Sequence, residues 1–321
     1  MSSISLADVY RARQRIEGRV VRTPLVESPS LSRIAGVPVH LKLENVQPTG
    51  SFKLRGATNA LADLAAHGVT RVVTASTGNH GRALAHAARA FGIEAVVCMS
   101  SLVPGNKVDA VAALGARVVI AGKSQDDAQV EAMRLVREEG FAFVPPFDDA
   151  RVIAGQATIG LEILEALPEV ATIVVPLSGG GLFSGVAFAA KRIDPDVQMI
   201  GVTMERGAAM HASLAAGKPV LVEELDTLAD SLGGGIGLEN QHTFAMTRAH
   251  LDRHVLLDEA SIERGIVHAY REERLVVEGA AAVGMSAVLD RVLDDAKGPI
   301  VILVSGCNID IELHRRLVGG S

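Results

Sequence analysis

Short apolar runs alternate with longer, alanine-rich stretches along most of the chain. The apolar runs are rich in β-branched residues and bounded by turn residues, which is typical of buried strands. They predict strands at residues 39–43, 71–75, 94–99, 117–120, 172–176, 198–202 and 299–304. Apolar positions at helical spacing predict helices at 82–91, 106–114 and 124–139, a helix starting near Val186, and an amphipathic first helix within residues 1–16. Alternation of this kind predicts an α/β fold with mostly parallel sheets.

The composition allows a large buried core and makes nucleic acid an unsuitable main partner. The chain has 321 residues, 48% of them hydrophobic, which is enough for one large or two medium domains. Its net charge is −6 and its basic residues are scattered, so we expect no nucleic-acid partner. No long linker, repeat or low-complexity segment separates domains, so a boundary must fall at a short turn. Residues 144–147, which read VPPF, are the best candidate for a crossing between domains.

The cysteines and the hydropathy bear on the cellular compartment. Cys98 and Cys307 are too few and too far apart for a CxxC pair or a zinc site, so we expect no metal centre and no disulfide framework. A reducing compartment is the default for such a chain. The N-terminal stretch lacks the apolar core of a signal peptide, and no uncharged apolar run reaches the length of a membrane span. We therefore expect a cytoplasmic protein with no membrane partner.

Lys53 lies in an unusual place, within residues 47–57, which read QPTGSFKLRGA. Residues 49–51, Thr-Gly-Ser, predict the start of a helix whose apolar face includes Phe52. A helix N-terminus carries partial positive charge, and burial also disfavours a cation. An enclosed Lys53 would therefore favour the neutral, nucleophilic amine. The alternative is a surface lysine with its ammonium group in water, and this segment alone does not decide between the two.

Two glycine-containing turns follow predicted strands, where α/β proteins commonly bind anions. Residues 76–81, STGNHG, present successive backbone N–H groups that suit a carboxylate. Residues 176–185, PLSGGGLFSG, contain three consecutive glycines, which let the backbone approach a phosphate closely. The alternatives are an ordinary helix cap for the first turn and a positive-φ turn for the second. Neither turn has the spacing of a dinucleotide-binding or Walker motif.

A third candidate is Ser305, which follows the last predicted strand in the sequence Ser-Gly-Cys-Asn. A hydroxyl at the carboxyl end of a strand is well placed to face a ligand crevice, although most such serines are simple turn residues. Together, an amine nucleophile, a carboxylate site, a phosphate loop and a strand-end hydroxyl make up a site for pyridoxal phosphate. The cofactor aldehyde would bond Lys53, its phosphate would lie on the glycine loop, and an amino-acid substrate would place its carboxylate on residues 76–81.

The order of motifs along nearly the whole chain resembles that of fold-type II pyridoxal-phosphate enzymes of the threonine/serine dehydratase and serine racemase group. The matching segments are Arg22-Thr23-Pro24-Leu25, Leu41-Lys42-Leu43-Glu44, residues 51–57, Gly78-Asn79-His80-Gly81, Pro146-Phe147-Asp148-Asp149, Gly155-Gln156, the glycine loop and Ser305-Gly306-Cys307-Asn308. The resemblance implies two αβα domains with mostly parallel twisted sheets, as in the tryptophan synthase β fold, and the cofactor between them. A small domain, 51–143, would be inserted into a large one formed by 1–50 and 144–321. A homodimer or higher homo-oligomer is also implied.

The resemblance also assigns roles to residues. Lys53 would form the covalent bond to the cofactor and act as catalytic base, with Phe52 packed against the ring. Asn79 would bind the phenolic oxygen, and Ser305 would face the pyridine nitrogen. The phosphate would be held by Ser178, Gly179, Gly180, Gly181 and Leu182, and the substrate carboxylate by Ser76, Thr77, Gly78, Asn79 and His80. Thr77 stands where racemases have a serine as second base, which makes it a second catalytic candidate.

These roles predict a lyase that removes the β-hydroxyl of an amino acid and yields a 2-oxo acid and ammonia. A neutral serine opposite the pyridine nitrogen, where other enzymes have an aspartate, suits prompt loss of the hydroxyl. The alternatives are a dehydratase for serine, threonine or 3-hydroxyaspartate, and an amino-acid racemase. A non-catalytic ligand-binding or regulatory module is a further alternative, against which the intact Lys53, Asn79 and Ser305 argue.

Four segments resemble a narrower group, the dehydratases of hydroxyectoine utilisation. They are residues 46–50, 204–210, 229–237 and 270–275. Arg206 and His211 are candidates for contacting an extra polar group on a larger substrate, although solvated surface positions are the alternative. Thr203 follows Gly201-Val202 where metal-stimulated relatives have an acidic residue, which is a further reason to expect no metal site.

Overall fold

The computed structural model describes residues 4–76, 78–103 and 105–320. Within them the helices are α1 Leu6–Ile16, α2 Pro29–Ala35, α3 Lys53–Ala66, α4 Asn79–Phe91, α5 Gly105–Ala112, α6 Gln125–Glu139, α7 Ala150–Ala166, α8 Gly181–Ile193, α9 Ala209–Ala216, α10 Thr243–His250, α11 Glu259–Arg271, α12 Gly279–Leu289 and α13 Ile311–Gly319. The strands are β1 Leu25–Glu27, β2 Val39–Leu43, β3 Arg71–Ala75, β4 Glu94–Met99, β5 Arg117–Ile120, β6 Ala142–Phe143, β7 Thr172–Pro176, β8 Gln198–Met204, β9 Arg253–Leu257 and β10 Ile300–Val304. Two short 3₁₀ turns span Glu44–Val46 and Asp230–Leu232.

The strands form two sheets, and nearly all neighbours are parallel. A six-stranded sheet has the order β1-β2-β10-β7-β8-β9, and a four-stranded sheet has the order β5-β4-β3-β6. The pair β1–β2 is antiparallel, and the other pairs are parallel. All seven predicted strands are present, and the predicted α/β class with mostly parallel sheets is confirmed. The short strands β1, β6 and β9 were not predicted.

The larger sheet is buried on both faces because helices cover both. Alternate residues of β7 and β10 belong to different cores. Val174 and Ile302 pack with α11 and α12, whereas Ile173 and Val301 pack with α7 and α8. Strands covered on both faces are continuously apolar, which explains why the short apolar runs located them so well.

Two helices begin earlier than their sequence predicts, and both begin at glycine-containing turns. The helix predicted near residue 186 begins at Gly181, and the helix predicted at 82 begins at Asn79. The helix predicted after residues 49–51 is present as α3, but its N-cap is Phe52 rather than a serine or threonine. Ser51 instead forms an isolated β-bridge with Gly306. Ser51, which was predicted to cap the helix, therefore joins the start of α3 to a distant part of the chain.

The helix α3 is held closely against α7. A Cβ atom on Gly56 would lie 2.9 Å from the carbonyl oxygen of Val152, and one on Gly155 would lie 2.6 Å from Cα of Gly56. Only glycine permits backbones to approach this closely. The crossing fixes the position of the first turn of α3, which carries Lys53.

No helix in the described ranges is both long and apolar enough to cross a membrane. Among the same residues, no group of three or more His, Cys, Asp or Glu side chains is arranged to hold a metal ion.

Candidate active site

Lys53 opens α3, and its amine faces protein groups. Nζ donates a hydrogen bond to the carbonyl oxygen of Pro146 at 2.7 Å and lies 5.3 Å from the centre of the Phe52 ring. Burial lowers the pKa of Lys53 to about 8, although the carboxylate of Glu278 acts in the opposite direction. This position agrees with an enclosed amine and not with the alternative of a surface ammonium group in water. A much larger fraction of its amine is neutral near neutral pH than for a lysine in water.

Ser305 is brought next to Lys53 by backbone contacts between distant segments. The N–H of Phe52 donates to the carbonyl oxygen of Ser305 at 3.0 Å, and the N–H of Cys307 donates to that of Gly50 at 2.9 Å. Ser305 lies directly after β10 and is buried. The backbone of Ser305 therefore lies against the start of α3, the helix that carries Lys53.

The glycine loop between β7 and α8 is tightly enclosed. Gly180 has φ of +88°, and Cβ atoms on Gly179 and Gly181 would come within 3 Å of Phe147. Phe147 adjoins Pro146, whose carbonyl oxygen accepts from Lys53, so the loop and the amine share one wall. Gly180 is the N-cap of α8 and supplies no side-chain acceptor, which leaves the first backbone N–H groups of the helix for a ligand.

The turn between β3 and α4 has a similar construction. Its N-cap is Gly78, which again provides no side-chain acceptor for the first N–H groups of α4. A Cβ on Gly81 would lie 2.6 Å from the carbonyl oxygen of Ser76, so the turn is tight. Thr77, predicted as a second catalytic residue, lies outside the described residues. The remaining members of the predicted carboxylate site, from Ser76 to His80, lie together at the start of this helix.

His80 contributes a neutral ring to this site. Its Nε2 lies 3.0 Å from the carbonyl oxygen of Val144, an acceptor, so Nε2 carries the hydrogen and Nδ1 is a bare acceptor. Burial, followed by the charge of Lys53, lowers the pKa of His80 to about 3. A bare ring nitrogen repels a carboxylate, so the group of His80 that suits a substrate carboxylate is its backbone N–H.

The main residue that the sequence interpretation missed is Glu278, the N-cap of α12. Its side chain is buried, and Oε1 accepts from Nδ2 of Asn79 at 2.8 Å and from the hydroxyl of Ser231 at 2.9 Å. Oε2 accepts from the backbone N–H of Asn308 at 3.1 Å. Burial, followed by the charge of Asp230, raises the pKa of Glu278 to about 7. A glutamate before a run of alanines gives no sequence signal of this role, because its partners come from three distant segments.

A buried ionic cluster lies behind the first turn of α3. The guanidinium of Arg55 donates to both carboxylate oxygens of Glu44 at 2.8 Å and to Glu162 at 2.7 and 2.9 Å. Lys42 donates to Glu162 at 2.6 Å. The side chains of Arg55 and Glu44 are fully buried. Two positive and two negative charges thus connect α3 to β2 and α7. They fix the position of the first turn of α3, which carries Lys53.

The two residues proposed for a larger substrate are engaged elsewhere. Arg206 is exposed and donates to the carbonyl oxygen of Asp226, and His211 is exposed and pairs with His254, with their Nδ1 atoms 3.1 Å apart. Neither contacts Lys53, Asn79, Glu278 or Ser305 in the part of the chain that the structure describes.

The site suits pyridoxal phosphate. It combines a half-buried amine of lowered pKa with a glycine loop whose helix has no side-chain cap, so a nucleophile and a set of backbone donors lie along one wall. Nδ2 of Asn79 carries two hydrogens, and among the described residues one of them has an acceptor. The amine suits an aldehyde, the backbone N–H groups of the glycine loop suit a phosphate, and the free hydrogen of the Asn79 amide suits a ring oxygen.

Comparison with known proteins gives one family over most of the chain. The sequence model described as "Pyridoxal-phosphate dependent enzyme" matches residues 16–306. A provisionally named threonine dehydratase of Sinorhizobium fredii is 56% identical over 321 residues, which cover 100% of this chain and 97% of that protein. The L-threonine ammonia-lyase of Thermotoga maritima is 42% identical over 317 residues, covering 98% and 78% respectively.

The solved structures give the same result for the fold. The structure of maize serine racemase superposes with a TM-score of 0.91 at 33% identity, covering 97% of this chain and 95% of that one. A racemase thus shares this architecture, and an ammonia-lyase is similar to it in sequence.

Proposed function

This chain belongs to the family of pyridoxal-phosphate-dependent enzymes, and we propose that it is an ammonia-lyase that dehydrates a β-hydroxy amino acid. The observation that carries the proposal is Lys53, an amine of lowered pKa that shares one wall with the uncapped glycine loop. The names of the relatives from Sinorhizobium fredii and Thermotoga maritima support the reaction class.

The anionic groups would be held by backbone donors. The free N–H groups at the start of α8, with Ser178 and the glycines before it, suit the phosphate. The free N–H groups at the start of α4, from Gly78 to His80, suit the substrate carboxylate. Each anion would then lie at the positive end of a helix, and neither requires a cationic side chain.

Lys53 would move the proton that starts the reaction. When bound, the cofactor supplies an electron sink for negative charge at the substrate Cα. Lys53, once its amine is free, would be a neutral base, and its lowered pKa suits removal of the Cα proton. The protonated Lys53 would give this proton to the departing β-hydroxyl, which would leave as water. Hydrolysis of the product then gives a 2-oxo acid and ammonia.

Ser305 would hold the pyridine nitrogen without charging it. Its hydroxyl is neutral, so it supplies no counter-ion that would stabilise a protonated ring. A weaker electron sink favours rapid loss of a leaving group over a long-lived carbanion. This property suits elimination better than racemisation.

The narrower substrate we favour is a ring-opened and deacylated product of hydroxyectoine, 3-hydroxy-2,4-diaminobutyrate. Hydroxyectoine itself is a cyclic amidine with no free primary amine, so it has no group to displace Lys53. Residues 229–237, one of the four segments with the narrower resemblance, reach the site through the bond from Ser231 to Glu278.

A substrate panel tests the proposal. The purified, cofactor-loaded enzyme would be assayed for 2-oxo acid with threonine, serine, both 3-hydroxyaspartates and 3-hydroxy-2,4-diaminobutyrate, and with intact hydroxyectoine as a negative control. We expect 2-oxo acid from one or more of the free amino acids, and most from the diaminobutyrate. Absence of 2-oxo acid with every substrate would refute the lyase proposal, and turnover of hydroxyectoine itself would refute the ring-opened substrate.

A racemase is the second candidate, which the similarity to maize serine racemase favours. Chiral analysis of the recovered amino acid in the same assays separates the two functions. Inverted amino acid in excess of 2-oxo acid would make racemisation the main activity.

The proposal includes a homo-oligomer in the cytoplasm. Both cysteines are free thiols, which suits a reducing compartment, and the family resemblance implies a dimer or larger assembly. Light scattering of the purified protein measures the assembly directly.

A further inference from the structure

Glu278 is a buried carboxylate that is held by hydrogen bonds. Its residue is 4% exposed, and within the described part of the chain it forms no salt bridge. Its three hydrogen-bond partners are Asn79 on α4, Ser231 in the 3₁₀ turn and the backbone N–H of Asn308. A buried charge that is stabilised only by hydrogen bonds is costly, so its position in a ligand site points to a function.

The hydrogen bonds around Glu278 have a fixed direction. Nδ2 of Asn308 faces the carbonyl oxygen of Thr49 at 2.9 Å, which can only accept, and its Oδ1 faces Arg82 at 3.2 Å, which can only donate. Nδ2 of Asn308 therefore also donates to Oδ1 of Asn79 at 2.6 Å. This contact leaves the NH₂ group of Asn79 directed at Glu278.

We propose that Glu278 is a positioning residue that anchors the amide of Asn79, so that its second Nδ2 hydrogen is presented to the ring oxygen of the cofactor. The inference rests on the proposed function, because it assumes that Asn79 faces the cofactor. One amide hydrogen is bonded to Glu278, and the planar NH₂ group then fixes the direction of the other.

The arrangement requires an ionised Glu278. Asn79 and the N–H of Asn308 can only donate to it in this arrangement, so among its three partners only the hydroxyl of Ser231 could accept a proton from the carboxyl group, and that proton would weaken the bond from Asn79 to the same oxygen. Three ionisable groups face the carboxylate: Lys53 from α3, Asp230 from the 3₁₀ turn and Cys307 after β10. Because the pKa of Glu278 is raised to about 7, the anchor is complete above this pH and is lost as the pH falls below it.

Glu278→Gln is the direct test, since glutamine keeps the shape and removes the charge. In either orientation its NH₂ group faces a donor, so one of the bonds to Asn79 or Asn308 is lost. Glu273→Gln is a matched control. Glu273 is half-buried and likewise accepts from three side chains, Ser28, Ser30 and His268, and none of these three belongs to the Asn79 cluster.

The readouts are the dissociation constant of pyridoxal phosphate and the absorbance of the bound cofactor, each across pH. For the wild-type protein we expect binding to weaken as the pH falls through about 7. For E278Q we expect cofactor binding to be about tenfold weaker or more at higher pH, with a shifted absorbance band. Its affinity should show no step, that is, no change as the pH passes through about 7. E273Q should keep both the affinity and the step.

Several results would overturn the inference. If E278Q binds the cofactor with the wild-type affinity, spectrum and pH profile, Glu278 does not position Asn79, although the proposed function still stands. If the wild-type protein itself does not bind pyridoxal phosphate, both proposals fail. Should E278Q not fold, Ser231→Ala provides the test. It removes one donor from the carboxylate at an exposed position, so the step should move to higher pH, and an unmoved step would contradict the proposal.

Discussion

At the residue scale, the chemistry depends on the position of Lys53, which determines the charge of its amine. Lys53 is at the start of a helix, is half-buried and faces a backbone carbonyl, so both the helix dipole and desolvation work against its charge. The nearby Glu278 partly offsets this effect. The balance leaves a pKa of about 8, which keeps the amine available as a nucleophile without making it permanently neutral.

We expect the rate of cofactor loading to rise with pH through about 8. Below this value Lys53 is an ammonium ion with no lone pair, and above it the amine can attack the cofactor aldehyde. Mixing the apoprotein with pyridoxal phosphate and following absorbance over time measures the rate at each pH. K53R, which stays cationic, should not load at any pH. A rate that does not change across this range would show that Lys53 is not the group that titrates.

At the element scale, α3 is held more rigidly than its own sequence requires. The close crossing of α3 and α7 at Gly56 and Gly155 sets the distance between the helices, and the buried charges of Arg55, Glu44 and Glu162 set their register. Charges are expensive to bury, and these remain favourable only because each is paired. Such a cluster is therefore sensitive to the loss of any one member.

Arg55→Met should destabilise the fold by about 3–5 kcal/mol, because it leaves the carboxylates of Glu44 and Glu162 buried without their main partner. The free energy of unfolding in urea provides the measurement. Arg134→Met is a matched control, since Arg134 contacts three carboxylates, one more than Arg55, but on the surface of α6. We expect a much smaller change there. Equal losses for both variants would contradict the structural role given to the buried cluster.

Sequence patterns located the strands better than the starts of the functional helices, for a physical reason. Buried parallel strands are continuously apolar, and this pattern is visible in the sequence. A helix start is usually recognised by its cap residue, as with Ser124 before α6 or Asp149 before α7. At α4 and α8 the N-cap is a glycine that offers no acceptor, so the signal is missing where the donors are left for a ligand.

The residues of the candidate site likewise divide into those that have a local sequence signal and those that have none. Lys53, Ser305 and the two glycine-containing turns carry local signals, and backbone contacts place Ser305 beside the start of α3. Glu278 could not be predicted, because its role depends on burial and on Asn79, which is 199 positions away in the sequence. The neutral state of His80 likewise depends on a carbonyl oxygen 64 positions away.

At the scale of the whole molecule, the site joins the two sheets. Ser305 and the glycine loop follow strands of the larger sheet, whereas Ser76 follows β3 of the smaller one. Residues 144–149 connect the two, and Asp148 accepts from the backbone N–H groups of residues 241, 242 and 243. A ligand that touches all of these segments would hold the two sheets together.

Pyridoxal phosphate should therefore stabilise the apoprotein against thermal unfolding. A ligand present at a hundred times its dissociation constant adds about 2.7 kcal/mol to the stability of the folded state. Melting curves with and without cofactor measure this effect, and K53A should show a smaller shift because the covalent bond is lost. A wild-type protein whose melting temperature does not respond to the cofactor would contradict the bridging role.

The most direct test of the account is to locate the covalent attachment of the cofactor. The loaded protein would be treated with borohydride, which makes the bond between cofactor and lysine permanent, and then digested for peptide mass spectrometry. We predict that the modified residue is Lys53. Modification of another lysine, or of none, would contradict the central claim that Lys53 is the nucleophile of this site.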